Sequence, residues 1–290
     1  MLFRVLRTAK ATLSRTFYLD EVATDATGSV SVSVTRLDGT LVQGPVNATG
    51  PDASHTYSFT FSGLDVVDHL IVTWSATVGG DAILLDQDEI EVVGGFFVGL
   101  SEIRGIDPKL SDTNRYTTQD LISKRTWVED EFERITGQAF VPRFAREVLT
   151  GDGCSYVLRL GWPRLRKVRS VTIEGVAMDQ ATVNSIGPNL VGLAKLPSLW
   201  PYPAGLTSGN IVIEYEHGMD RVPVGINEVA KLRIKSRLFT SQSPLPDRAE
   251  RIATTEVGLV TLAIAKGDAT GIPEVDAELD RHPSPRPKWG

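Results

Sequence analysis

Residues 117–143 read TTQDLISKRTWVEDEFERITGQAFVPR. Leu121, Val128, Phe132 and Ile135 recur at helical spacing, with Ile122 and Trp127 beside them. That stripe predicts a helix over 118–136 with one apolar face. Thr117 followed by Asp120 reads as an N-cap with an acid at the third helical position, and Gly137 as a C-terminal stop. Pro142 keeps the helix from resuming. On this wheel Phe132 faces inward and Glu129 lies on the solvated side. The stretch decides the fold, because on both sides of it the apolar period shortens to two.

Upstream, 29–35 alternates strictly between serine or threonine and valine. Tyr57, Phe59 and Phe61 alternate with small hydroxyl residues. Leu70, Val72, Trp74, Ala76 and Val78 make a third such run, and Ile90 and Val92 stand beside Glu89 and Glu91 in a fourth. Turn signals separate them at Asp38-Gly39, Gly50-Pro51-Asp52 and Gly79-Gly80-Asp81. The pattern predicts a small antiparallel sandwich of about seven strands with Trp74 in its core. It is immunoglobulin-like in architecture only, since no Cys–Trp–Cys pattern is present.

Downstream, strands are expected at 145–150, 156–160, 169–174, 190–195 and 210–216, and a second helix at about 225–240. From 243 onward, proline and glycine are frequent. That segment reads as an extended arm with a strand near 257–264. No hairpin partner for the strand stands out nearby. The expected fold class is α+β in two domains. An all-β sandwich occupies 1–94. A helical domain, 95–243, carries a β-rich insertion at 144–216, and a C-terminal arm covers 244–290.

The chain has 290 residues, 41% of them hydrophobic and 23% charged, enough apolar content for a buried core. Its longest apolar runs, 96–100 and 258–265, fall far short of the roughly 18 residues that span a bilayer. The N-terminus lacks the apolar run of a signal peptide. Cys154 is the single cysteine, so no internal disulfide is expected. The net charge of −6 is unevenly spread. Residues 16–95 hold twelve acids against one base, while 96–250 hold eighteen acids against twenty bases. This shift marks a domain boundary near 95 and argues against nucleic-acid binding by the acidic half.

Motifs with catalytic or metal-binding meaning are absent. The histidines at 55, 69, 217 and 282 are widely separated, and no phosphate loop, nucleophile elbow or paired-cysteine motif occurs. Cys154, in a Gly-Asp-Gly-Cys turn, has no neighbouring base to activate it. His217 reads as a strand-end residue packing on a turn. Asp86, Asp88, Glu89 and Glu91 read as a solvated strand face rather than a calcium loop. Neither an enzyme, a cofactor nor a metal is expected. Lys231, Arg233, Lys235 and Arg237 point around the second helix, which reads as a helix with snorkelling, solvated ends or, alternatively, as a partly basic face docking on an acidic partner.

Five landmarks follow in order: LSEIR at 100–104, YTTQD at 116–120, WVEDEFERITGQAFVPR at 127–143, VIEYEHG at 212–218 with Pro223 and the second helix, and TGIPEVDAEL at 270–279. This set resembles the head-to-tail connector (adaptor) family of long-tailed phages, especially those of actinobacteria, over about 96–280. The resemblance implies a non-enzymatic virion neck protein, assembled in the host cytoplasm. It implies a ring, commonly of twelve subunits, seated between the portal and the next neck protein or stopper. DNA would pass through the ring without sequence-specific binding, and no membrane is involved.

Residues expected to meet the portal or a neighbouring subunit are Lys231, Arg233, Lys235, Arg237, Val257, Leu259, Gly271, Pro273, Val275, Asp276 and Leu279. The arm would add as a strand to a neighbour's sheet edge. Two expectations follow: 96–290 folds without the sandwich, and removal of 244–290 leaves the subunit folded. The rival readings are a carbohydrate- or host-surface-binding module displayed on the virion, or a stopper or tail-completion protein.

Overall fold

The computed structural model describes residues 2–79, 82–149, 156–173, 175–193, 211–240, 251–254, 258–261 and 270–283. It is a mixed α+β protein. The first 93 residues form β1 (Leu2–Leu6), β2 (Ala11–Thr16), β3 (Tyr18–Leu19), β4 (Val22–Ala23), β5 (Ser31–Arg36), β6 (Leu41–Asn47), β7 (Thr56–Phe61), β8 (Asp68–Val78) and β9 (Ala82–Val93). One sheet has the order β1-β9-β8-β5-β6, with β1 parallel to β9. A second pairs β2 with β7, and β3 with β4 form a small hairpin.

Period-two alternation fixes which residues point inward. Val32 and Val34 of β5, Tyr57, Phe59 and Phe61 of β7, Leu70 and Trp74 of β8, and Ile90 of β9 meet Leu13 in one apolar cluster shared by the two larger sheets. One inward position of β9 is charged. The run from Asp86 to Glu91 is only in part the solvated face the sequence predicted: Asp86 and Glu89 are half exposed, whereas Asp88 and Glu91 are covered. Asp88 is buried and accepts the Trp74 indole N–H at 3.1 Å, with the Arg15 guanidinium at 3.4 Å. A buried carboxylate is held when a donor and an opposite charge both reach it.

The helical unit follows: α1 (Leu100–Gly105) and α2 (Thr118–Thr136). α2 has the span that the spacing predicts. Thr117 caps it in a box with Asp120, and Gly137 closes it with φ +63°. Then come β10 (Arg143–Leu149), β11 (Val157–Arg159), β12 (Leu165–Ile173), β13 (Val176–Ala177), β14 (Val183–Gly187), β15 (Leu190–Leu193) and β16 (Ile211–His217). They make a four-stranded sheet, β10-β16-β12-β13, and a three-stranded one, β11-β15-β14, which share a core around Val171, Ile213, Tyr215 and Val191. α3 (Val224–Thr240), β17 (Arg251–Thr254), β18 (Gly258–Thr261) and α4 (Pro273–Leu279) complete the chain.

The C-terminal segment departs from the extended arm expected of it. β17 and β18 pair antiparallel with each other, so the strand has its hairpin partner a few residues upstream. Pro273 sits in the first turn of α4, where its missing N–H costs nothing. Val275 and Leu279, one turn apart, are buried in the helical core with Phe132, Phe140, Ile226, Ala230 and Ile234. Pro273 thus opens this helix, and the next proline, Pro283, comes only after its end. Cys154 and Val257 lie outside the described residues.

Candidate functional site

The densest buried charge lies where the N-terminal sheets meet α2 and β10. Arg4 on β1 reaches Glu91 on β9 at 2.6 Å, Glu129 on α2 at 3.1 Å, and Asp130. Arg143, the first residue of β10, reaches Glu91 at 3.2 Å, Glu129 at 3.5 Å and Glu133 at 3.1 Å. Glu129 also accepts the Phe97 backbone N–H at 2.9 Å. It is fully buried, which reverses the solvated position the helical wheel gave it. The wheel assumed one covered face, but α2 is covered by the helical core on one side and by this cluster on another.

Burial pushes the Glu133 carboxyl up to about 7, against the pull of Arg143 and Arg4. Burial would also raise Glu91, but the Arg143 and Arg4 charges outweigh it and hold Glu91 below the usual carboxylate range. Arg143 is driven the other way: burial would lower it, and Glu133, Glu91 and Glu129 together raise it. Burial lowers Arg125, whose guanidinium lies 3.5 Å from the centre of the Phe96 ring. A crevice of about 390 Å³ opens beside the cluster, with Glu133, Arg143, Trp162 and His217 among its walls. His217 is buried there and stacks on Trp162 at 4.9 Å, so it packs as a strand-end residue.

The same seam continues along the four-stranded sheet. Arg146 on β10 donates to the Leu37 carbonyl, and Arg169 on β12 donates to the Val67 carbonyl. Buried Asp68 receives Arg36 at 3.0 Å from its own sheet and Arg169 at 3.5 Å from the other side. A second crevice, of about 360 Å³, lies between Asp38, Asp68, Lys167 and Glu214. The Gly94 N–H donates to the Pro142 carbonyl at 2.9 Å, and a Cβ at Gly94 would stand 2.5 Å from the proline ring. The contact between the halves is therefore polar and arginine-rich.

The residues singled out in the sequence fall elsewhere. Arg233 is buried and pairs with Glu131 at 2.7 Å, joining α3 to α2. Arg237 lies 3.8 Å from the Trp127 ring centre and 3.8 Å from Glu131. Lys231 pairs with Glu228 at 3.0 Å, and Lys235 with Asp107 at 3.0 Å. The four bases thus diverge around α3, and each has a partner within the chain. Leu259 lies on β18 opposite Ala253. Gly271, at φ +81°, and Thr270 donate their backbone N–H groups to Asp276 at 3.3 and 2.7 Å, which fixes the entry to α4 behind Pro273. The seam residues Arg4, Glu91, Glu133 and Arg143 were missed. The available signal was a basic N-terminus ahead of an acidic strand run.

Among the described residues no group of three or more His, Cys, Asp or Glu is arranged to hold a metal ion. No helix among them is long and apolar enough to cross a membrane. The chain is similar to a structure titled as the neck of an empty GTA particle computed with C6 symmetry. Identity is 16%, coverage is 66% of this chain and 91% of that one, and the TM-score is 0.41. It is also similar to the neck of a native GTA particle computed with C12 symmetry, at 14% identity, 65% and 94% coverage, and a TM-score of 0.40. The BcpA major pilin subunit of Bacillus cereus is matched at 13% identity over 74% of this chain and 60% of that one, with a TM-score of 0.21. A Roc-COR-CHAT protease of Runella zeae is 33% identical over 72 residues, which are 25% of this chain and 8% of that protein. No family model matches the chain.

Proposed function

We propose that this chain is a non-enzymatic structural protein of a phage-type neck, a ring-forming adaptor between a portal and the following neck protein. The observation that carries the reading is the convergence of the sequence landmarks. Phe140, from the stretch after α2, lies 5.4 Å from the His282 ring just beyond α4. Gln138 donates to the His282 carbonyl at 3.2 Å. Gly218, after β16, sits where a Cβ would stand 2.2 Å from the Val141 carbonyl oxygen. Landmarks far apart in sequence thus build one body, as parts of a single adaptor unit would. The first 94 residues are then an appended immunoglobulin-like domain, and DNA passes the ring without being gripped.

The test is assembly. The purified chain, alone and with its portal, is examined by mass photometry and electron microscopy. Cyclic rings are expected, with no submicromolar affinity for duplex DNA at physiological salt. A chain that stays monomeric in both conditions overturns the reading, as does tight DNA binding by the ring.

A further inference from the structure

We propose that the seam between the N-terminal sheets and the helical body is a proton-controlled latch, closed while Glu133 carries a proton and loosened when it ionises. The bonding pattern points to Glu133. In the cluster two guanidiniums, Arg4 and Arg143, bond four carboxylates: Glu91, Glu129, Glu133 and, on the exposed rim, Asp130. Arg125 adds a third positive charge nearby without a partner for its Nε. Arg134 lines the same crevice, so four positive groups face the four carboxylates.

The three inner carboxylates are not equivalent. Glu91 and Glu129 each touch both arginines, and Glu129 holds a backbone N–H as well. Glu133 touches Arg143 alone, and both of those bonds, at 3.2 and 3.1 Å, end on Oε1. Its Oε2 has no hydrogen-bond partner among the described residues, and the residue lines the crevice, so a proton has both a seat and an entrance.

The charged and titratable groups around Glu133 come from every element packed there. They are Arg4 from β1, His69 from β8 acting on Glu91, Glu91 from β9, Arg125, Glu129, Asp130 and Arg134 from α2, Arg143 from β10, and His217 from β16. A carboxyl whose acidity is weakened on folding makes the folded state bind more protons than the unfolded one. Its stabilisation is complete below the ordinary carboxylate value, near 4.5, and is lost as pH rises to about 7. Ionised Glu133 adds a buried negative charge beside Glu91 and Glu129. Burial outweighs the pull of Arg143 and Arg4 on that charge, so water reaching it through an opened seam relieves it. Among the described residues no apolar cluster spans the seam: one apolar core lies in the N-terminal sheets, and the other two lie in the body. The polar contacts are therefore where the two halves part first.

The test follows the Gly94 N–H, which bonds the Pro142 carbonyl across the seam. Hydrogen exchange of this amide, corrected for intrinsic rates, is measured on the full chain and on Glu133→Gln between pH 5 and 8. Amides of the β8 core serve as reference. In the wild type, Gly94 protection relative to β8 should fall by up to about tenfold per pH unit between about 5 and 7. In Glu133→Gln it should stay flat. Equal slopes in the two proteins overturn the latch, and so does a loss shared evenly by β8. If the variant does not fold, carboxyl-carbon NMR of the wild type decides. A Glu133 midpoint near 7 supports the latch, and one in the ordinary carboxylate range ends it.

Discussion

At the scale of single residues, Phe132 and Glu129 are both fully buried on α2, one against apolar side chains and the other against arginines. Leu121, Val128 and Phe132 announce their burial by spacing alone. Glu129 sits one turn from Arg125 and next to Val128, and nothing local marks it as buried. Its partners, Arg4 and Arg143, lie 125 and 14 residues away, and only the tertiary fold brings them together. Asp88 was hidden in the same way behind Trp74 and Arg15. A prediction separates the wheel from the structure. Phe132→Ala should cost about 3–5 kcal/mol, the usual range for emptying an aromatic site in a core. Glu129→Ala should cost a similar amount, about 3–5 kcal/mol, because it takes one carboxylate from two buried guanidiniums and leaves the buried Phe97 amide without its acceptor. Urea denaturation of both variants checks this, and a Glu129→Ala loss within about 0.5 kcal/mol would restore the solvated position.

Elements with strong punctuation were readable. α2 has a capping box, a left-handed glycine and a following proline, and each of those signals is local. α4 has seven residues among prolines, and its apolar signal is a single pair, Val275 and Leu279. Two residues one turn apart do not establish a period, so the segment read as an arm. Its packing overturns the expectation that the subunit is indifferent to losing 244–290. Leu279→Ala should destabilise the isolated subunit by about 2–5 kcal/mol. Leu232→Ala, on the open side of α3 at 39% exposure, should change stability by less than about 1 kcal/mol. Truncation after Ser243 should lower the melting temperature at least as far as Leu279→Ala. An unchanged melting curve for the truncated chain would mean that α4 contributes nothing to its own core.

For the whole molecule, the change of period and charge near Gly94-Gly95 located the passage from the first sheets to the helical body. What it left out is the charge that crosses that passage. Composition showed an acidic half beside a balanced half, which reads as two independent units. The structure instead threads Arg4 forward onto α2, and Arg143, Arg146 and Arg169 back onto the first half. The three apolar clusters stay on their own sides of the seam. Removing residues 1–94 therefore leaves the two apolar clusters of the helical body whole, so the remainder keeps a cooperative unfolding transition. It also strips Arg4 from Glu129 and Glu91 from Arg143, leaving buried charges with fewer partners, a change that costs several kcal/mol when the charge cannot reach water. The expected result for 95–290 is a single sigmoidal melt at a clearly lower temperature than that of the same region in the full chain. Part of the difference should be reproduced by Glu91→Gln in the intact protein. A fragment as stable as the full chain would show the seam to be energetically silent. A fragment with no cooperative transition would show that the two halves share one core despite the separation of their apolar clusters.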